Sequence, residues 1–315
     1  MNYPTEKPGP TSVINYLPPS VATAAAALFS VADKSPEEIR LRLGQPVFWV
    51  SQGRTRPLKD SRGQNITLTR EELDTVVYRM TKGSVYALAE EFRRGYVTIP
   101  GGHRVGISGR VVLENGQVKG IRDIFSLDFR IAREVKGCGL GVLPLLWDQG
   151  ALRNTLIFSP PCGGKTTLLR DLTRLLSQGV KGEVQNVALI DQRSEIAGSF
   201  LGQPQLDVGP ATDVLDGAPK AEGMMMAIRS LGPRIVVTDE IGDPQEKAAI
   251  TEAVNSGISL LLSAHGRDYE DICRRPLLAE LLNMGVFSRL VQLDNSGGPG
   301  RVKAIYDGNG VKLKL

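Results

Sequence analysis

A lysine and two threonines behind a glycine loop, and two adjacent carboxylates at the end of an apolar run, are the residues here whose spacing could do chemistry. The first set is Ser159-Pro160-Pro161-Cys162-Gly163-Gly164-Lys165-Thr166-Thr167. A short apolar run, 155–158, precedes it and reads as a buried strand, and a Leu-rich helical pattern follows. Strand, small-residue loop and helix start together predict a phosphate-binding loop. Unpaired backbone N–H groups and the positive end of the helix dipole face an anion at such a place. Lys165 then reaches the β- and γ-phosphates of ATP as a point charge, the loop from Ser159 to Thr167 wraps the phosphates, and the Thr166 hydroxyl ligates Mg²⁺. Ser159 stands where the pattern G-x-x-x-x-G-K-[ST] has its first glycine. Serine is small, so the loop is expected to close.

The second set is Asp239-Glu240, which ends the β-branched run RIVVT (234–238). Open α/β sheets bind ligands at the carboxyl ends of their strands, so both acids are placed where a phosphate-binding loop can use them. Asp239 suits an outer Mg²⁺ contact and Glu240 the base that polarises an attacking water. A third candidate is His265, at the end of ISLLLSAH (258–265) and one of only two histidines. If its strand lies between those of Glu240 and Lys165, His265 sits beside the γ-phosphate and can report it; the alternative is a satisfied polar strand end. The segment DQRSE (191–195) supplies Asp191 and Glu195. These acids either hold Mg²⁺-bound waters and place the attacking water, or complement a helix start. Guanidinium groups for the γ-phosphate are available as Arg104, Arg110, Arg130 and Arg133; the competing reading of each is a surface ion pair.

These residues need a scaffold, and the chain is long enough for two cores at 315 residues. Its apolar share of 41% and charged share of 23% are those of a globular protein, and a net charge of +4 permits an anionic partner without demanding one. Three cysteines without metal-ligand spacing argue against a disulfide framework and for a reducing, cytoplasmic setting. No apolar stretch is long enough to span a bilayer, so membrane attachment is expected to run through partners. Aromatic residues are 5%, and no basic-aromatic stretch offers a base-stacking platform, which counts against nucleic acid as partner.

Patterning predicts a smaller α+β domain over 1–134, a Gly-rich hinge over 135–144 and an α/β domain over 145–315 with a parallel sheet. In the first domain, residues 1 to about 17 read as a loose arm. An Ala-rich helix over 21–32, a strand pair near 38–51, helices at 70–80 and 84–94, and glycine-broken strands over 95–121 follow, then a strand or strand-to-helix entry over 124–134. In the last domain strands are expected at 155–158, 186–190, 234–238, 258–263 and 287–293, with a closing hairpin around Asn309-Gly310. Residues 191–220 show no periodicity and read as a long functional loop.

Together, IPGGHRVGISG (99–109), PPCGGKTTLLRD (160–171), DQRSEIAG (191–198) and VVTDEIGDPQE (236–246) resemble the stage III sporulation AA family within the type II/IV secretion ATPase superfamily. Gln192 departs from an expected acid. The resemblance, over about residues 15–310, implies a C-terminal RecA-like P-loop ATPase domain behind a mobile N-terminal domain, with arginines contributed across the cleft. It also implies a homo-hexameric ring that powers a channel between mother cell and forespore, docked on membrane proteins at the mother-cell side. Rival readings are a RecA-type nucleic-acid motor and a nucleotide-gated scaffold with little turnover.

Overall fold

The computed structural model describes residues 9–31, 35–81, 89–148, 151–180, 182–294 and 300–313. They form two compact units: Met1–Arg133 with Gly198–Gln205, and Glu134–Ala197 with Leu206–Leu315. Each carries its own sheet, which makes the fold mixed α/β.

In the first unit, helices Pro19–Phe29 (α1), Arg70–Thr81 (α2) and Ala89–Arg94 (α3) accompany six strands: Glu38–Arg42 (β1), Phe48–Ser51 (β2), Arg54–Pro57 (β3), Tyr96–Ile99 (β4), His103–Glu114 (β5) and Gln117–Arg130 (β6). The strands are antiparallel in the order β3-β2-β1-β6-β5-β4. Thr69 and Glu72 start α2 with a reciprocal cap: the Thr69 hydroxyl accepts from the Glu72 N–H at 3.3 Å and Glu72 accepts from the Thr69 N–H at 3.0 Å. Asn115 and Gly116, at φ 52° and 77°, turn β5 into β6, the left-handed pair that two-residue hairpins favour. The anticipated loose arm differs in part. Pro10–Tyr16 is a 3₁₀ helix with Val13 buried, and Leu17 beside it is buried too, so the apolar side chains hold it on the core; residues 1–8 lie outside the described ones. Of the helix expected over 84–94, the part before 89 lies outside as well. The segment 124–134 continues β6 as strand up to Arg130, with no turn into a helix.

His103 is fully buried; its Nδ1 accepts the Ala132 N–H at 3.1 Å, so its proton sits on Nε2, 2.9 Å from the Ser12 hydroxyl. Burial pushes this ring down to about 4. Below the ordinary value of about 6.5 the unfolded chain takes up a proton that the folded one refuses, so stability falls as pH drops from there to the folded value. The total is about 3 kcal/mol at about 1.4 kcal/mol per pH unit. Urea denaturation at pH 7.5, 6 and 5 should show about 2 kcal/mol of this loss by pH 5, with a shallower pH slope in His103→Gln; an equal slope in both proteins would refute the assignment.

The second unit opens with Leu143–Leu146 (α4) and the small hairpin Trp147–Asp148 (β7) and Ala151–Leu152 (β8). Then strands and helices alternate: Thr155–Ser159 (β9), Lys165–Ser177 (α5), Val187–Asp191 (β10), Thr212–Asp216 (β11), Lys220–Ser230 (α6), Ile235–Thr238 (β12), Glu246–Asn255 (α7), Ser259–His265 (β13), Tyr269–Arg274 (α8), Pro276–Asn283 (α9), Arg289–Leu293 (β14) and Val302–Asp307 (β15). The sheet order is β11-β10-β12-β13-β9-β14-β15, parallel except for the β14–β15 pair. Alternate residues of each central strand enter opposite cores, Leu156 and Phe158 one and Ile157 the other, Val236 one and Ile235 with Val237 the other. Burial on both faces is why these strands read as unbroken apolar runs.

Two expectations change here. The stretch 191–220 is not all loop, since β11 pairs along β10 as an edge strand. Its half-exposed TDVLD pattern lacks the apolar run of a central strand. The closing hairpin is slight among the described residues: β15 pairs with β14, and beyond the turn Lys312 bridges back to Tyr306 and the Leu313 N–H donates to the Ile305 carbonyl at 2.8 Å. Residues after 133 are tied into this unit, for Glu134 accepts the Asp207 N–H, Lys136 lies 2.7 Å from Asp207, and the Gly139 N–H donates to Asp171 at 2.7 Å.

Candidate active site

The sheet order places β13 between β12 and β9, so Glu240, His265 and the 159–165 loop end three adjacent strands on one edge. The loop turns on Cys162 (φ 61°) and Gly164 (φ 80°), which start α5 at Lys165. Ser159 keeps a negative φ, is buried, and donates its hydroxyl to the Pro160 carbonyl at 2.8 Å. A Cβ therefore fits where the loop pattern has its first glycine. Residues 161–167 line a cleft of about 480 Å³ together with Arg193, Glu195, Glu240 and His265.

Lys165 is buried, and its ammonium contacts the carbonyls of Ser159 and Pro160 at 3.4 Å, the Ser159 hydroxyl at 3.5 Å and Nδ1 of His265 at 3.1 Å. Burial lowers its pKa, partly offset by the charge of Glu240. An ammonium has only protons to give, so Nδ1 of His265 accepts and Nε2 carries the ring proton. Nε2 lies 2.8 Å from Oε1 of Glu240, while Arg193 Nη1 lies 2.8 Å from Oε2. Lys165, His265, Glu240 and Arg193 thus form one continuous chain of donors and acceptors.

Glu240 is fixed by its backbone. It sits at φ 47°, a left-handed conformation unusual for glutamate, with its N–H on the Ser263 hydroxyl at 3.1 Å and its carbonyl on Lys220 at 2.6 Å. Glu246 supports the turn beyond by accepting the N–H groups of Gly242 and Asp243 at 2.8 and 3.2 Å. Asp239 is buried with neither carboxylate oxygen hydrogen-bonded. Burial, helped by the charge of Asp191 and opposed by Lys220, pushes its carboxyl up to about 7. An orphaned carboxylate at a strand end, and separately the Thr166 hydroxyl in the cleft lining, are oxygen donors of the kind a hard cation such as Mg²⁺ takes.

Asp191 organises the backbone that follows β10. Its Oδ1 accepts the Glu195 N–H at 2.9 Å and its Oδ2 those of Ile196 and Ala197 at 3.0 and 2.8 Å, so the carboxylate builds the loop after β10. No helix starts there. Burial still raises its pKa to about 6. Glu195 lines the cleft while its carbonyl accepts from Arg170 at 2.6 Å.

The four arginines belong to the first unit and have partners within it. Arg104 lies 3.6 Å from the Tyr96 ring centroid, Arg110 is 3.6 Å from Asp123, Arg130 is 3.7 Å from Glu38, and Arg133 donates to the carbonyls of Ser35 and Pro36 at 2.5 and 2.7 Å. Sequence reasoning did not single out Arg193, Ser263 or Lys220. Only the position of Arg193 between two acids at a strand end could have flagged it.

Among solved structures, the Legionella pneumophila ATPase DotB shares this fold with a TM-score of 0.58 over 92% of this chain and 78% of its own, at 16% identity. The pilus retraction motor PilT with bound ADP gives 0.53 over 85% and 76%, at 14% identity. Stage III sporulation protein AA of Bacillus subtilis (strain 168) is 43% identical over 299 residues, 95% of each chain. The profile of the family described as "Sporulation stage III, protein AA" matches residues 28–313. The chain belongs to the sporulation stage III protein AA family.

Proposed function

We propose that this protein is a Mg²⁺-dependent ATPase of the secretion-ATPase type, with the second unit as its RecA-like P-loop domain. The observation that carries the reading is the junction of Lys165 and Glu240 through His265 in a cleft floored by the 161–167 loop. Loop N–H groups and Lys165 bind the β- and γ-phosphates; Thr166 and Asp239 hold Mg²⁺, which supplies charge neutralisation when bound. Glu240 takes the proton of the attacking water, whose oxygen bonds to the γ-phosphorus as the bond to the bridging β–γ oxygen breaks. His265 connects the two ends of the site and so senses whether Lys165 is on phosphate. Glu195, which lines the cleft, is our candidate for orienting the attacking water. Arg104, Arg110, Arg130 and Arg133 are our candidates for a guanidinium on the γ-phosphate.

DotB is described as an ATPase and PilT as a motor, which supports a role in work rather than in binding alone. Membership of a sporulation family supports the channel between mother cell and forespore as the machine driven. We propose a homo-hexamer on the cytoplasmic, mother-cell side, held to the membrane through partner proteins. Among the described residues no helix is long and apolar enough to cross a membrane. The pivot for domain motion is proposed at the N-terminal edge of 135–144, because Gly139 is already anchored on Asp171.

Phosphate release from ATP is the direct test. It should require Mg²⁺, vanish with chelator and be indifferent to single-stranded DNA. Strong, salt-sensitive stimulation by DNA would favour a nucleic-acid motor instead, and binding without turnover a nucleotide-gated scaffold. Light scattering should show nucleotide-dependent assembly to a ring; a strict monomer would remove the motor reading.

A further inference from the structure

Both oxygens of Glu240 are taken: His265 holds Oε1 and Arg193 holds Oε2, each at 2.8 Å. A carboxylate has about four lone-pair sites, so two remain, but the guanidinium on Oε2 satisfies the charge with which Glu240 would draw a proton from water. Glu240 is freed to act as a base when one donor leaves, and Arg193 is the one built to do so. Its backbone is pinned on both sides. Asp191 holds the N–H groups of Glu195, Ile196 and Ala197, the Ser194 hydroxyl donates to Asp216 at 2.6 Å, and Arg170 holds the carbonyls of Glu195 and Ile196. The side chain itself is 58% exposed and lines the same cleft as Lys165. A long guanidinium on a rigid pivot can therefore change partners without moving the loop.

The exchange is chemically favourable. A half-solvated ion pair adds little stability, so giving up Glu240 costs little. A terminal phosphate offers the planar guanidinium the same bidentate geometry as a carboxylate with a larger negative charge. We propose that Arg193 distinguishes a nucleoside triphosphate from a diphosphate: it stays on Glu240 until a third phosphate draws it away, and Oε2 is then open to water. Arg193 thus binds the third phosphate directly and frees Glu240 as it does so, and it is supplied by the same unit as the phosphate-binding loop. The inference rests on the ATPase reading above.

The test compares ADP with the non-hydrolysable analogue AMP-PNP, both with Mg²⁺, on full-length wild-type protein, Arg193→Gln and Arg193→Lys. In Arg193→Gln, ADP affinity should stay within about twofold, while AMP-PNP binds about tenfold more weakly, the loss of one charge-assisted hydrogen bond. The KM for ATP should rise in step, and Arg193→Lys should recover part of the discrimination. Unchanged ADP binding shows that the variant is folded and its phosphate loop intact. If Arg193→Gln keeps the wild-type ratio of the two affinities, Arg193 is a surface ion pair and the inference falls while the ATPase reading stands. If wild-type protein binds neither nucleotide, the ATPase reading falls first and takes this with it.

Discussion

Glu240→Gln lowers ATP turnover by about 10²–10⁴-fold, the range for removing a general base, while ATP still binds. Three observations isolate that effect. The backbone of residue 240 is held at both ends, by Ser263 on its N–H and Lys220 on its carbonyl, so an isosteric side chain keeps its place. Glutamine can still accept from His265 or Arg193, so the loop geometry survives. It cannot take a proton from water, so only the chemical step is lost. Phosphate release at saturating ATP measures the fall, and equilibrium binding of AMP-PNP checks that the cleft is intact. Turnover within threefold of wild type would show that another group takes the proton.

Lys165→Ala removes nucleotide binding itself. A charge-assisted hydrogen bond contributes about 1.5–3 kcal/mol, and Lys165 is expected to make more than one to the phosphates, so affinity should drop by at least about 10²-fold. Its effect on stability should be the opposite of the usual cost of a core truncation. In the nucleotide-free protein this ammonium is buried among carbonyls and one imidazole, and burial lowers its pKa, so the fold holds it at a cost. Without nucleotide, the melting temperature of Lys165→Ala should equal or exceed that of wild type, whereas only wild type should be raised by MgATP. A variant that melts early without nucleotide would point to Lys165 as a structural residue.

Hydrophobic periodicity carried the second unit. β9, β10, β12, β13 and β14 all lie where apolar runs placed them, because strands covered on both faces have no choice but to be apolar throughout. The turn from β9 into α5 was legible for a related reason: its glycines answer to local backbone geometry, and local geometry is written in adjacent residues. Edge and peripheral elements were harder. β11 escaped notice because an edge strand is covered on less of its surface, and the 3₁₀ helix at Pro10–Tyr16 because about two turns leave too few residues to show a period.

Motif and spacing were enough to nominate Lys165, Glu240 and His265. Which atoms meet was a matter for the folded chain alone. That His265 accepts from Lys165 and faces Glu240 follows from β13 lying between β12 and β9, a strand order that no stretch of sequence specifies. That Asp191 anchors the loop after its strand was not legible, since its partners are backbone N–H groups that every residue possesses and no side-chain pattern can announce. Arg193, unremarked among its neighbours, reached Glu240 across 47 positions of chain. Apolar burial is set by composition along each segment, whereas contacts between polar tips depend on how separate segments come to lie side by side, and that is settled only when the sheet assembles.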